Sequence, residues 1–154
     1  MHGFLSPVFS SRIRAGVRAG LIAAAATGGA IIGFGVRHDD WSGPFATLGN
    51  HVLQGFGVAG APRLIPVVAG LAAHVSWMVI WGIAFATISH RKTPAEAVLF
   101  AILVGVGATV LARSMVPAAM GATSFAMMPG VQAALCFALM TAGLVAGRAL
   151  SRAE

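Results

Sequence analysis

The stretch LIPVVAGLAAHVSWMVIWGIAFATIS, residues 64–89, contains no charged side chain, and His74 is its only histidine. A helix that crosses the hydrocarbon core of a bilayer needs roughly 20 predominantly apolar residues. Because lipid offers the backbone no hydrogen-bond partners, an apolar stretch of this length satisfies its own groups by forming a helix. The stretch therefore predicts a membrane-spanning helix.

Three further runs without charge surround it, between Arg18 and Arg37, between Glu96 and Arg113, and between Arg113 and Arg148. The chain of 154 residues is 58% hydrophobic and 9% charged, whereas about 25% of the residues in a typical soluble domain are charged. This pattern predicts an all-α membrane protein, a four-transmembrane-helix bundle in a single integral membrane domain over residues 1–154. The expected spans are about 17–36, 64–89, 95–114 and 129–150.

Basic residues are concentrated on one side of this four-span arrangement. Of the ten lysines and arginines, three lie on the other side, Arg37, Arg63 and Arg113. The rest precede the first span, connect the second span to the third, or follow the fourth: Arg12, Arg14, Arg18, Arg91, Lys92, Arg148 and Arg152. The positive-inside rule then predicts that both the N and C termini are cytoplasmic. We expect a multi-pass protein of a bacterial inner (cytoplasmic) membrane.

The net charge of +6 comes from these span ends. The chain lacks a basic stripe interleaved with stacking aromatic residues, so we expect no nucleic acid partner. The expected partners are membrane lipids, whose anionic headgroups attract such basic ends, and other integral membrane subunits. The first span follows a basic segment, as a signal peptide would, but its apolar run continues through Val36, so we expect an uncleaved anchor.

Small residues four positions apart occur in two spans. They are Gly29 and Gly33 in the first span, and Gly143 and Gly147 in the fourth. Such spacing lets two membrane helices approach closely. It predicts that both glycine faces are buried against protein.

The first outer connection, residues 38–62, contains Pro44 followed by apolar residues at helical spacing. This pattern predicts a short amphipathic helix that lies flat at the membrane interface, with Ser42 capping its start. After the second span, Thr93, Pro94 and Glu96 are typical of the start of a helix and predict the beginning of the third span.

His74 lies well inside a predicted span. It shares one helical stripe with Gly70, Trp77 and Trp81, because the separations are four, three and four residues. A histidine within the membrane is a candidate functional residue because an ionisable group is costly to place in lipid. A neutral histidine can equally be satisfied by one hydrogen bond to a neighbouring helix, so a purely structural role stays open.

The string GLAAH at residues 70–74, followed by Trp77, resembles the small-x-x-x-His motif of bacterial light-harvesting polypeptides, whose histidine ligates bacteriochlorophyll. The resemblance implies His74 as a ligand of bacteriochlorophyll or haem. It also implies that Gly70 leaves room for the macrocycle and that Trp77 and Trp81 lie beside it. In hydropathy and glycine placement the chain also resembles small uncharacterised bacterial four-helix membrane proteins, which implies no activity.

Motifs of catalysis are absent from the sequence: there is no Gly-x-Ser-x-Gly, no His-Glu-x-x-His and no phosphate loop. We expect no enzyme and no metal site. The leading prediction is a non-catalytic accessory or scaffold subunit of a larger membrane complex, photosynthetic or respiratory. One alternative is a small transporter or channel, with an aqueous path lined by His74, Thr27, Ser76 and Thr109. The other is a pigment- or haem-binding membrane protein that uses His74.

Overall fold

A computed structural model describes residues 7–115 and 130–152, with side chains at 11–111 and 130–151. These residues form five α-helices and no strand. The helices are α1 Pro7–Val36, α2 Gly43–Gly55, α3 Leu64–Ser89, α4 Pro94–Met115 and α5 Gly130–Arg152. Four of them are long and apolar enough to cross a membrane, over Ser11–Val36, Leu64–Ser89, Pro94–Leu111 and Gly130–Ser151. The predicted all-α fold with four such helices is confirmed.

The main difference in boundaries is at the first span, where the helix begins ten residues before the expected position 17. No proline lies between Pro7 and Val17, so the helix continues through the basic segment. Pro7 suits the first helical position because a proline there gives up an N–H that has no intrahelical partner. At the fourth span the expected proline start, Pro129, lies outside the described residues.

Helix α1 contacts α3 backbone against backbone. A Cβ atom built on Gly16 would lie 2.5 Å from the Cα of Ile83, and one built on Gly20 would lie 2.5 Å from the Cα of Val79. Gly82 of α3 is equally restricted, because a Cβ atom there would collide with the backbone of Gly16 and Gly20. Close approach of this kind maximises van der Waals contact, which is what associates helices in lipid.

Helix α5 uses the glycine pair predicted for it. A Cβ atom on Gly143 would lie 2.6 Å from the Cα of Ala23, and one on Gly147 would collide with Ala19. The expectation that this face is buried against protein is confirmed. Helix α1 is thereby enclosed by α3 and α5, and it is the most buried of the four apolar helices.

The same expectation for Gly29 and Gly33 is wrong within this chain. Both glycines are exposed, and a Cβ atom built on either would have no atom within 4 Å. The close backbone contacts of α1 with α3 and α5 are at Gly16, Gly20, Ala19 and Ala23, so they are made before the helix reaches Gly29.

Side chains tie the helix ends together at the basic end of the bundle. Arg148 of α5 donates from Nη2 to the carbonyl oxygens of Ser89 (3.0 Å) and Lys92 (2.6 Å) at the end of α3. A capping box follows at the start of α4. The N–H of Thr93 donates to Glu96 Oε2 (2.7 Å), and the N–H of Glu96 donates to Thr93 Oγ1 (3.3 Å). The predicted start of the third span at Thr93 and Pro94 is confirmed. Which side of the membrane this end faces stays a prediction.

The opposite end is closed by Arg63, which donates from Nη2 to Asp40 Oδ1 and to Ser42 Oγ (3.2 Å). Ser42 does not cap α2 through its side chain, because its hydroxyl donates to Asp40 Oδ1 (3.4 Å) and accepts from Arg63. The predicted helix in this connection is present as α2, with a proline in its first turn. Its position at a membrane interface stays a prediction.

Candidate functional site

His74 is buried where α1 and α3 approach each other, with 3% of its surface exposed. Its Nε2 lies 3.1 Å from Thr27 Oγ1 and 3.3 Å from the carbonyl oxygen of Ala24. A carbonyl oxygen only accepts, and the Thr27 hydroxyl donates to the carbonyl oxygen of Ala23 (2.8 Å). The hydrogen-bond pattern therefore assigns a proton to Nε2, which donates to both oxygens.

Local small residues and one aromatic ring complete this pocket. A Cβ atom on Gly28 of α1 would lie 3.7 Å from His74 Nε2, an ordinary contact, so the glycine adds space rather than preventing a collision. The ring of Phe45, 3% exposed, meets the imidazole edge-on with centroids 5.8 Å apart and an interplanar angle of 73°. The imidazole is thus enclosed by α1, α2 and its own helix.

The space beside Gly70 is filled by α2. A Cβ atom on Gly70 would collide with the carbonyl oxygen of Phe45 and the nitrogen of Gly49, and one on Gly49 would collide with the carbonyl oxygen of Pro66. A macrocycle next to Gly70, as the light-harvesting resemblance implies, would have to displace α2. The geometry at His74 and Gly70 is that of the structural alternative, a histidine satisfied by a neighbouring helix.

Trp77 and Trp81 form an edge-to-face pair with ring centroids 5.8 Å apart and an interplanar angle of 71°. Trp81 is directed towards α4, because a Cβ atom on Gly107 would lie 3.7 Å from its Cη2 atom. The four residues of the predicted site therefore share a stripe on α3 but meet three neighbours, α2 at Gly70, α1 at His74 and α4 at Trp81. Helices that cross at an angle divide one stripe among several neighbours in this way.

Of the four residues proposed to line an aqueous path, the structure brings together only His74 and Thr27. Ser76 is exposed, two residues after His74 and so on the far side of α3. Thr109 is on α4, and its hydroxyl donates to the carbonyl oxygen of Gly105 in the same helix (2.9 Å). These four residues do not form one path.

Two contacts of the site were missed from sequence. Thr27 was predicted to line an aqueous path, and its hydroxyl is also of the kind that hydrogen-bonds between membrane helices. Gly49 lies in the segment predicted as an amphipathic helix, but its contact with α3 was not predicted. Glycine weakens a helix by about 1 kcal/mol relative to alanine, so its presence in the middle of α2 was the available signal for a close approach.

Among the residues that the structure describes, no three His, Cys, Asp or Glu side chains are grouped as metal ligands would be. No family model, curated protein or solved structure matches the chain.

Proposed function

We propose that the protein is a non-catalytic accessory subunit that packs within a larger membrane assembly. The proposal depends on the contacts of His74, which is the only histidine in the four described spans. Its Nε2–H is donated to Thr27 Oγ1 and the Ala24 carbonyl oxygen. A histidine that carries protons or ligates a metal needs a ring nitrogen that a proton donor or a metal can reach. The imidazole of His74 instead hydrogen-bonds α3 to α1.

The hydroxyl groups of the spans support the same interpretation. Thr87, Thr109 and Ser151 each donate to the carbonyl oxygen four residues earlier in their own helix, at 2.8, 2.9 and 2.9 Å. Hydroxyls satisfied in this way form no chain of groups across the bundle. The hydroxyls of Thr87, Thr109 and Ser151 therefore stabilise their own helices and are not linked to one another.

The surface we assign to a partner is the outward side of α3. Ala72 and Ser76 are exposed, four residues apart, and lie between the exposed side chains of Val68 (57%) and Ile80 (60%). Small residues at this spacing allow a second helix to approach, and a serine hydroxyl can hydrogen-bond across the interface. We propose that a transmembrane helix of another subunit contacts this face. A photosynthetic or respiratory assembly and a bacterial inner membrane stay predictions.

The test combines co-purification with site-specific cross-linking. An affinity-tagged protein is extracted from its native membranes in mild detergent, and its partners are quantified by mass spectrometry. A photoreactive amino acid is placed at Ser76 in one variant and at Val106, 47% exposed on α4, in a matched control. We expect a partner at fixed stoichiometry and an adduct to it from position 76 but not from position 106. Recovery of the protein alone, or equal adducts from both positions, would contradict the proposal.

A further inference from the structure

The outward side of α1 carries one continuous stripe of exposed residues that begins with two arginines and becomes apolar. Successive members are four, three, four, four and three residues apart, so they project from the same side of the helix. All six are exposed: Arg14, Arg18, Leu21, Ala25, Gly29 and Ile32.

The apolar part of this stripe forms one wall of an open groove of about 250 Å³. Leu71 and Val75 of α3 form the opposite wall, and Phe45 of α2 also lines the groove. Ala25 and Gly29 contribute almost no side-chain volume, so the groove deepens between the larger side chains of Leu21 and Ile32. Every lining residue is apolar, which suits a hydrocarbon occupant.

The groove lies across the middle of the first span, because Leu21 is four residues after its expected start at 17 and Ile32 is four residues before its end at 36. Leu21 and Ile32 are eleven positions apart, which corresponds to about 16 Å along a helix. Half of the hydrocarbon core of a bilayer is about 15 Å thick. One acyl chain that enters near Leu21 would therefore occupy the part of the groove between Leu21 and the middle of the membrane.

The arginine end supplies the charge that a headgroup would need. Arg18 precedes Leu21 by three residues and Arg14 lies one turn further out, where exposed Arg91 and the partly buried Arg148 also belong to the same end of the bundle. Glu96 is the only acidic side chain at this end among the described residues. Guanidinium groups bind phosphate oxygens in a planar, bidentate geometry.

We propose that this groove binds one acyl chain of an anionic phospholipid, whose phosphate is held by Arg14 and Arg18. The apolar groove determines where the chain lies, and the arginines determine the preference for a net negative headgroup. The groove is lined by Leu71 and Val75 of α3 but not by Ala72 or Ser76, and lipid retention is measured independently of partner cross-linking. The two proposals can fail separately.

The first experiment measures headgroup preference. The purified protein in mild detergent is mixed with equal amounts of phosphatidylglycerol and phosphatidylcholine, and retained lipids are identified by native mass spectrometry. We expect one retained phosphatidylglycerol. Arg14→Gln should lower the phosphatidylglycerol to phosphatidylcholine ratio about tenfold, the effect of losing one hydrogen bond between a guanidinium and a phosphate. Arg91→Gln removes one charge from the same end and should leave the ratio unchanged.

The second experiment fills the groove. A Cβ atom on Gly29 or on Gly33 meets nothing within 4 Å, so leucine at either position is compatible with the fold, which circular dichroism verifies. Gly29→Leu should abolish retention of both lipids, whereas Gly33→Leu, outside the groove lining, should retain them. Equal retention of the two headgroups would overturn the proposal, as would lipid retention by Gly29→Leu. A protein dimer lost in Gly29→Leu would assign the groove to a second copy and also overturn it.

Discussion

His74 on α3 and Thr27 on α1 are joined by a hydrogen bond of 3.1 Å inside the bundle, although 47 positions separate them in the chain. The donor is the imidazole Nε2–H, because the Thr27 hydroxyl donates to its own helix at Ala23. The coupling between these two residues therefore reports on the packing of α1 against α3.

Removal of the Thr27 hydroxyl tests the strength of that bond. We expect Thr27→Val to lower the free energy of unfolding by about 1 kcal/mol, since hydrogen bonds between membrane helices contribute about 0.6 to 1.7 kcal/mol. Thr109→Val is the matched control, because its hydroxyl donates only within α4, and it should have a smaller effect. A double-mutant cycle with His74→Leu, followed by reversible unfolding in detergent, gives the coupling energy. A coupling energy of zero would contradict the assignment.

The close contact between α2 and α3 predicts that a larger side chain at position 70 destabilises the protein. A Cβ atom there collides with the backbone of Phe45 and Gly49, and neither can move without shifting α2. We expect Gly70→Ala to destabilise the protein by about 1 to 3 kcal/mol, the usual range for overpacking. The midpoint of thermal unfolding in detergent measures it.

The control for Gly70 is Gly33→Ala, which places the same methyl group where nothing lies within 4 Å. This variant should be neutral or slightly stabilising, because alanine is the better helix former. Equal destabilisation by the two substitutions would show that α2 does not rest on α3 as described.

The hydrogen bonds of Arg148 to the end of α3 and the turn after it should stabilise the folded protein. Its guanidinium donates to the carbonyl oxygens of Ser89 and Lys92, and hydrogen bonds that involve a charged group contribute about 1.5 to 3 kcal/mol. We expect Arg148→Gln to lower the free energy of unfolding by about 2 kcal/mol. Arg91→Gln removes an exposed positive charge nearby and should change it little. If both variants behave alike, net charge rather than these bonds stabilises this end.

The assignment of a proton to His74 Nε2 predicts an optical result. His74 Nε2 donates to Thr27 and Ala24, and α2 fills the space beside Gly70, so we expect no visible absorption band that depends on His74. Absorption spectra of the protein and of His74→Leu, purified under identical mild conditions, should coincide between 350 and 900 nm. A chlorin or haem band present in the first and missing in the second would establish His74 as a ligand.

Much of the fold follows from local sequence. Each apolar stretch has its own transfer free energy into lipid, so the positions of α3 and α4 were predicted almost to the residue. The helix in the first outer connection was predicted from Pro44 and the apolar spacing behind it. These features depend on neighbours in the chain and not on neighbours in space.

The candidate site was predictable only in part. His74 is conspicuous because it is a histidine in an apolar stretch, but its partner Thr27 is one of several hydroxyl residues in the spans. Gly70 was predicted to provide space, and the structure shows that α2 fills this space through Gly49. The group that fills the space beside a small residue depends on the angles at which the helices cross. Hydropathy contains no information on those angles.

The sequence by itself determined that four helices of this chain are apolar enough to cross a membrane, because each segment partitions into lipid according to its own side chains. Only the tertiary structure decided which faces meet. Gly16 and Gly20 have the same spacing on α1 as Gly29 and Gly33, yet the first pair contacts α3 and the second faces outward. In lipid, helix association depends on the shape complementarity of whole surfaces, so a spacing shared by both pairs cannot select between them.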